Sequence, residues 1–409
     1  ALSSTAQVHY FPDGRPWSQD AKGGPDGEVD GWYYNLGVTG LRVELVEDAP
    51  THLVVRHVFS GTPADRKVRV GDHIVGAGGR EFTTPHRNGY GMDVFGPTGP
   101  VLDFASALEA AQGEPGKGRL ELALLRDGEP VAVRLDVGRG HGTYAEGFPA
   151  GCAKSERILA VLLAYLVEHQ REDGSWGDPV RDTFAPLALL ASGERKYADA
   201  VERCVRMHAR TTRSEDESSL INWRYMAAGI VMSEYYLATG ERWVRDELQE
   251  VYDFLAWSQY MDLSQVNPRV KESHPDAWPP DAQDARGGWG HNPGVEGYGP
   301  ICMLTGQGAL AFALMARCGI AVDRGRHDAA YAFLERGTGP NGYVWYEDQV
   351  AGPQDWADMG RTGAAGVANR LAPYDDEPYA DRALAHAHVI GTHPESLSLI
   401  HISEPTRLN

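Results

Sequence analysis

Positive charge is scarce in this sequence. Lys and Arg total 38 against 57 Asp and Glu, a net charge of −19, and no basic cluster interrupts the acidity. That balance argues against nucleic acid and against anionic membrane surfaces as partners. Long apolar runs are also missing, so no segment reads as a membrane span. Only four cysteines occur, Cys152, Cys204, Cys302 and Cys318, and none forms a C-x-x-C pair. A zinc ribbon and a disulfide framework are therefore not expected, and the four read as small buried residues. No P-loop and no G-x-G-x-x-G between a strand and a helix is found, which removes the usual nucleotide motifs, and no cofactor or metal is expected. The chain opens at Ala1 without an initiator Met or a signal-peptide pattern and is expected to be a fragment or a processed form.

The sequence does contain a recurring turn. Gln170-Arg171-Glu172-Asp173-Gly174-Ser175-Trp176-Gly177 sits between two helix-patterned segments, and its Gln, Gly and Trp spacing returns at Gln283, Gly287 and Trp289. A looser echo pairs Gly342 with Trp345. Asp-Gly supplies a bend with positive φ, Gln satisfies orphan backbone groups at a helix end, and the indole packs over the neighbouring hairpin.

Five segments follow in order. Residues 1–30, rich in Gly, Pro, Asp and Ser, read as an extended leader or linker. Residues 31–137 read as a small β-rich domain, with alternating apolar positions in Leu41–Leu45 and His52–Val58, a helix over Leu102–Gln112, and a final hairpin turning at Asp127-Gly128. Residues 138–153 are a turn-rich linker. Residues 154–396 carry the 3.6-residue period, beginning with Ile158, Val161, Leu162, Tyr165 and Leu166. Asp182 is read as an N-cap with Pro186 in the first turn, and Gly193 as the glycine that ends that helix. The ending Leu190-Ala191-Ser192-Gly193-Glu194 returns about 47 residues later as Leu237-Ala238-Thr239-Gly240-Glu241. A third such ending, at Gly319, is delayed by an insert from about Ser258 to Gly290. This half reads as repeated helical hairpins.

The residues Gly61, Pro63, Ala64, Val70-Gly71-Asp72, Ile74 and Gly78 give the β-rich segment a pattern that resembles a bacterial PDZ domain. The resemblance implies a groove taking the C-terminus of a peptide, with its carboxylate loop at Leu36, Gly37, Val38, Thr39 and Gly40. That loop is longer than the usual form, so a PDZ fold serving only as a packing module stands as the alternative. No Ser-His-Asp set of protease type accompanies it. Helical hairpins closed by Q-x3-G-x-W turns resemble the α/α toroid of terpenoid cyclases, protein prenyltransferases and several polysaccharide lyases and hydrolases. The order of the two is similar to a bacterial family with a PDZ domain ahead of a toroid, which implies an architecture and a periplasmic or secreted location, but no chemistry. The fold class is thus multidomain: a PDZ-like domain, then an all-α, incomplete toroid. Residues 397–409 are expected to be a non-native tail, since Leu397 to Arg407 resemble a translated sequencing adapter; the natural protein is expected to continue.

Candidate chemistry lies in the loops. A sugar cleft needs aromatic faces for pyranose stacking and carboxylates or His as acid and base. His291, Tyr298, Glu347 and Arg361 are the catalytic candidates, with Asp284, Trp289, Trp345, Tyr346 and Asp358 as substrate-binding candidates. Five of them have a structural alternative: Trp289 and Trp345 as packing residues of the turns, His291 as a capping residue, Asp358 as an N-cap, Arg361 as a partner of a local acid. The expected function is binding or processing of a carbohydrate polymer. A non-enzymatic peptide-binding scaffold and a terpenoid-cyclase-like enzyme are the competing readings.

Overall fold

The computed structural model describes residues 32–46, 48–86, 99–140, 142–212, 220–265, 285–293, 299–350, 359–374 and 377–392. The chain divides into two compact units, with the division between Val161 and Leu162.

The first unit is an antiparallel sheet with one helix. Its strands are β1 (Trp32–Asn35), β2 (Leu41–Leu45), β3 (Leu53–Val58), β4 (His73–Ala77), β5 (Arg80–Glu81), β6 (Arg119–Arg126) and β7 (Glu129–Asp136); helix α1 spans Pro100–Gln112. Spatial order is β1-β2-β3-β4-β6-β7, with β5 folded back onto β4. Alternation sets the strands: Leu120, Leu122 and Leu124 of β6 face the core while their neighbours face out. The β6–β7 hairpin turns on Asp127 and Gly128, both at positive φ, so that Arg126 pairs with Glu129. Phe104 and Ala111 of α1 complete the core with Leu41, Val43, Leu53, Val55 and Ile74.

One buried charge ties this unit together. Asp72, 2% exposed, accepts two bonds from the Arg126 guanidinium, at 2.9 and 2.7 Å, and one from the Arg69 amide. Burial alone raises a carboxyl pKa; here the Arg126 and Arg69 donors outweigh it and hold Asp72 below its ordinary value.

The second unit is helical. Its helices are α2 (Ala153–Glu168, shared in sequence with the first unit), α3 (Pro179–Ala191), α4 (Ala198–Thr211), α5 (Ile221–Thr239), α6 (Trp243–Ser258), α7 (Cys302–Arg317), α8 (Arg324–Arg336), α9 (Met359–Leu371) and α10 (Glu377–Thr392). The β-rich domain followed by an all-α domain is therefore present as expected. Alternate helices form a row: α3 packs on α5, α5 on α7, and α7 on α9. Helices α4, α6, α8 and α10 each pack against the row member before them. Small residues let the row members approach: a side chain at Gly229 of α5 would collide with Met315 of α7, and one at Gly306 of α7 would press on Ala364 of α9.

Three helix ends and one helix start show what the pattern can and cannot fix. Gly193, Gly240 and Gly319 sit at φ 67°, 71° and 82° beyond α3, α5 and α7, the left-handed stop expected of each. The start of α3 lies earlier than expected. Asp178 is the N-cap, accepting from the Arg181 amide, and Pro179 takes the first position. Asp182 and Pro186 are inside the helix. Pro186 has no N–H for the Asp182 carbonyl; His208 Nε2 donates to it instead at 3.1 Å, with Cys204 Sγ at 3.7 Å. A buried polar pair thus repairs the gap that proline makes in the ladder.

Candidate functional site

Three equivalent turns set the geometry at the N-terminal ends of the row helices. In the first, Gln170 Nε2 donates to the Gly174 carbonyl (3.0 Å) and to the Ala200 carbonyl of α4 (2.8 Å). Trp176 Nε1 donates to the Leu166 carbonyl of α2 (2.8 Å). The second turn repeats every bond. Gln259 Nε2 donates to the Gly287 carbonyl (2.8 Å) and the Arg326 carbonyl of α8 (2.9 Å), and Trp289 Nε1 to the Leu255 carbonyl of α6 (2.9 Å). The glutamine of the second turn is therefore Gln259, not Gln283, which lies outside the described residues. The insert enters inside the motif, between its Gln and its Gly.

The third turn holds Gly342 with Val344, not Trp345, at the tryptophan position. The next helix fixes the equivalence. The Trp176, Trp289 and Val344 amides donate to Asp182 Oδ1, Thr305 Oγ1 and Thr362 Oγ1, the fourth residues of α3, α7 and α9. The turn glycines share positive φ, 93°, 95° and 89°. At each, a Cβ would run into a carbonyl of the flanking helix: Arg203 O at 2.4 Å, Ala329 O at 2.0 Å, Ala385 O at 2.9 Å.

The second turn continues into the segment carrying His291. The Asn222 amide donates to the His291 carbonyl (3.2 Å), the Ile221 amide to Asn292 Oδ1 (3.3 Å), and Asn222 Nδ2 to the Gly290 carbonyl (2.9 Å). Residues 290–292 thus cap the N-terminus of α5 and place it beside that of α7. Trp223 Nε1 donates to His291 Nδ1 at 2.8 Å, with the rings near parallel and 6.0 Å apart. An indole N–H only donates, so Nδ1 holds a lone pair and the neutral ring carries its proton on Nε2. Burial lowers the His291 pKa, which favours that neutral form. The imidazole is therefore set to donate a hydrogen bond through Nε2 rather than to act as a base there.

The third turn brings in the other candidates. The Cys302 amide, first in α7, donates to the Tyr346 carbonyl (2.8 Å), and its thiol to the Glu347 carbonyl (3.2 Å). The Ile301 amide donates to the Trp289 carbonyl (3.0 Å), so the loops carrying His291 and Glu347 both abut the start of α7. Arg361 of α9 is 9% exposed. It donates to the Tyr343 hydroxyl (3.1 Å) and the Val344 carbonyl (3.4 Å), with its guanidinium 5.5 Å from the Tyr346 ring centre. Tyr346 is 36% exposed, and the Glu347 side chain is exposed. Trp289 is fully buried against Phe312, and Trp345 is half-buried, edge-on to Tyr343. Asp284, Tyr298 and Asp358 lie outside the described residues.

Burial pushes the Cys302 thiol well above its ordinary pKa, an environment hostile to a thiolate ligand. Among the described residues no group of three or more His, Cys, Asp and Glu is placed to hold a metal ion. No helix among them is long and apolar enough to cross a membrane. In the first unit, Leu36 to Gly40 form the tight β1–β2 turn. Thr39 Oγ1 donates to the Leu36 carbonyl (2.8 Å), and Val38 is exposed. Strand β2 is bonded to β1 on one edge and to β3 on the other.

Sequence reading missed Trp223, Asn222 and Gln259. The signal for the last was present: Gln170 and Gln259 stand at the same distance from the leucines, Leu166 and Leu255, whose carbonyls receive the two indoles. Neither a curated protein nor a solved structure matches the chain. A family model described as a domain of unknown function, DUF6288, matches residues 155–389, more than half of the sequence, and the chain belongs to that family.

Proposed function

We propose that the helical unit is an α/α-toroid-type array that binds a carbohydrate polymer where the N-termini of α5, α7 and α9 gather, and that the β unit is a PDZ-like module. The alternate-helix packing and the repeated Gln-Gly-Trp turns support the toroid reading. The order of strands and turn glycines supports the PDZ reading.

The observation that carries the ligand reading is the Trp223–His291 pair. A neutral imidazole oriented by an indole carries its N–H on Nε2, a donor of the kind that hydroxyl, ring and glycosidic oxygens accept from. Tyr346, partly exposed beside Arg361, offers a ring face for stacking on a pyranose. Glu347, exposed on the same loop, supplies a carboxylate for acid–base chemistry if turnover occurs.

A binding surface without turnover is the second reading. It is favoured because Trp289 and the Arg361 guanidinium are spent on holding the turns. The cyclase reading is the weakest. Asp182 is a buried acid at the start of a row helix, and burial raises its pKa, but it accepts the Trp176 and Gly177 amides, as an anionic cap does, rather than facing a cavity as a proton donor.

A glycan-panel binding and turnover screen tests this with the full chain and with His291→Ala. That variant keeps the main-chain carbonyl that caps α5, so the fold remains. Saturable binding that His291→Ala weakens about tenfold, the worth of one hydrogen bond, is the expected result. Absence of binding across the panel by the folded protein removes the carbohydrate reading.

A further inference from the structure

The first unit contains a cleft of about 870 Å³ between α1 and the β4–β6 face. Its volume falls within the range of ligand pockets. It lies on the side of α1 that carries Asp103, Ser106 and Ala110, whereas Leu108 approaches the Leu36–Gly40 turn. The cleft is thus a different place from the turn that the PDZ resemblance singles out.

Three observations describe what it could hold. First, its lining includes Arg80, Lys117 and Arg119, none of which makes an ion pair among the described residues, whereas Arg134 is paired with Glu121. Glu81 and Asp103, also unpaired among the described residues, line it too, so cations hold a small majority in a chain of net charge −19. Second, β5 pairs with β4 alone, and the segment that continues it, Thr83 and Thr84, is exposed and makes no backbone hydrogen bond among the described residues. Among the described residues, an open strand edge therefore borders the cleft. Third, Lys117 is held at φ 51° between Gly116 and Gly118. A β-carbon there is strained, where another glycine would not be. Lys117 brings a cation to the lining of the cleft at a position whose backbone favours glycine.

We propose that this cleft binds an extended acidic peptide, which adds as a strand along Arg80–Thr84 and sets its carboxylates against Lys117 and Arg119. Main-chain bonds to the open edge supply affinity without regard to sequence, and the cations select for acidic side chains. Strand β2 cannot play this part while β1 occupies its edge.

The test is fluorescence anisotropy on the full chain with a labelled octapeptide of alternating Val and Asp. Expected is saturable binding that weakens with added salt. It should fall at least tenfold in Lys117→Glu/Arg119→Glu and disappear when alternate peptide amides are N-methylated. Both residues are exposed, and circular dichroism is the check that the variant folds. An alternating Val and Lys octapeptide should not bind. Absence of binding by the Val-Asp peptide overturns the proposal, as does binding that the charge reversals leave unchanged. Equal binding of the N-methylated peptide overturns strand addition.

Discussion

Gly287→Ala is expected to be the most damaging of four glycine-to-alanine changes, and the reason can be read from one distance. All four positions, Gly287, Gly174, Gly342 and Gly193, have positive φ, so each change carries the left-handed cost of roughly 1–2 kcal/mol. They differ in what the new methyl meets. At Gly193 nothing lies within 4 Å; at Gly342, Gly174 and Gly287 the nearest flanking carbonyl oxygen is at 2.9, 2.4 and 2.0 Å. A contact of 2.0 Å with main chain is relieved only by moving α8 away, which also stretches the Gln259 bond to Arg326. Overpacking of this kind adds about 1–3 kcal/mol. The expected order of destabilisation is Gly287, Gly174, Gly342, Gly193, running from roughly 4 down to roughly 1 kcal/mol. In a unit of this size each kcal/mol lowers Tm by about 2–4 °C. Urea unfolding followed by tryptophan fluorescence reads the series directly, since Trp176 and Trp289 pack at two of the turns. Equal midpoints for Gly193→Ala and Gly287→Ala would refute the reasoning, because the close approach would then contribute nothing.

Acid should loosen the helical unit through its buried histidines. Burial lowers His208 and His327 to about 4 from an ordinary value near 6.5. Between those values the unfolded chain binds the protons that the folded one refuses. Their stabilising effect is therefore complete above pH 6.5 and is lost as pH falls toward 4, by roughly 3 kcal/mol for each. A denaturation midpoint that is flat across this window would contradict it. His208→Leu should cost about 1–3 kcal/mol by leaving the Asp182 carbonyl only the weak Cys204 thiol donor, and clearly less in a Pro186→Ala background, where the new amide takes that carbonyl; a double-mutant cycle measures the coupling. Trp223→Phe should raise the His291 pKa toward its ordinary value, since the lost indole donor is one that only the neutral ring accepts; NMR titration of the imidazole reads the change.

The parts of the fold legible in the sequence were those encoded by local rules. The stops at Gly193, Gly240 and Gly319 follow from a conformation that glycine adopts at little cost, and the alternation of Leu120, Leu122 and Leu124 follows from strand geometry. Failures arose where a contact joins distant residues. Gln283 matched the spacing of the turn, but the bonds to Gly287 and Arg326 come from Gln259 across the insert. Trp345 matched a residue type, but the hydrogen bond to Thr362 fixes Val344 as the equivalent position. Asp182 looked like a cap because acids favour helix starts, yet Asp178 with Pro179 begins α3. At the candidate site, His291 was visible as a residue, while its partner Trp223 lies on a helix far away in sequence, and no local pattern links them.

The second turn has a consequence for how this chain can change over time. Gln259 holds Gly287, and Tyr260 exchanges two main-chain bonds with residues 287 and 288: the Tyr260 amide to the Gly288 carbonyl at 2.9 Å, and the Gly287 amide to the Tyr260 carbonyl at 2.7 Å. The two flanks of the insert are thus stapled to each other before the insert begins. Whatever lies between them can lengthen, shorten or be exchanged at little entropic cost, because closing a longer loop adds only a logarithmic penalty. That makes this turn a grafting port: a place where new recognition sequences can be tried beside His291 and Asn292 without renegotiating the helices that carry them.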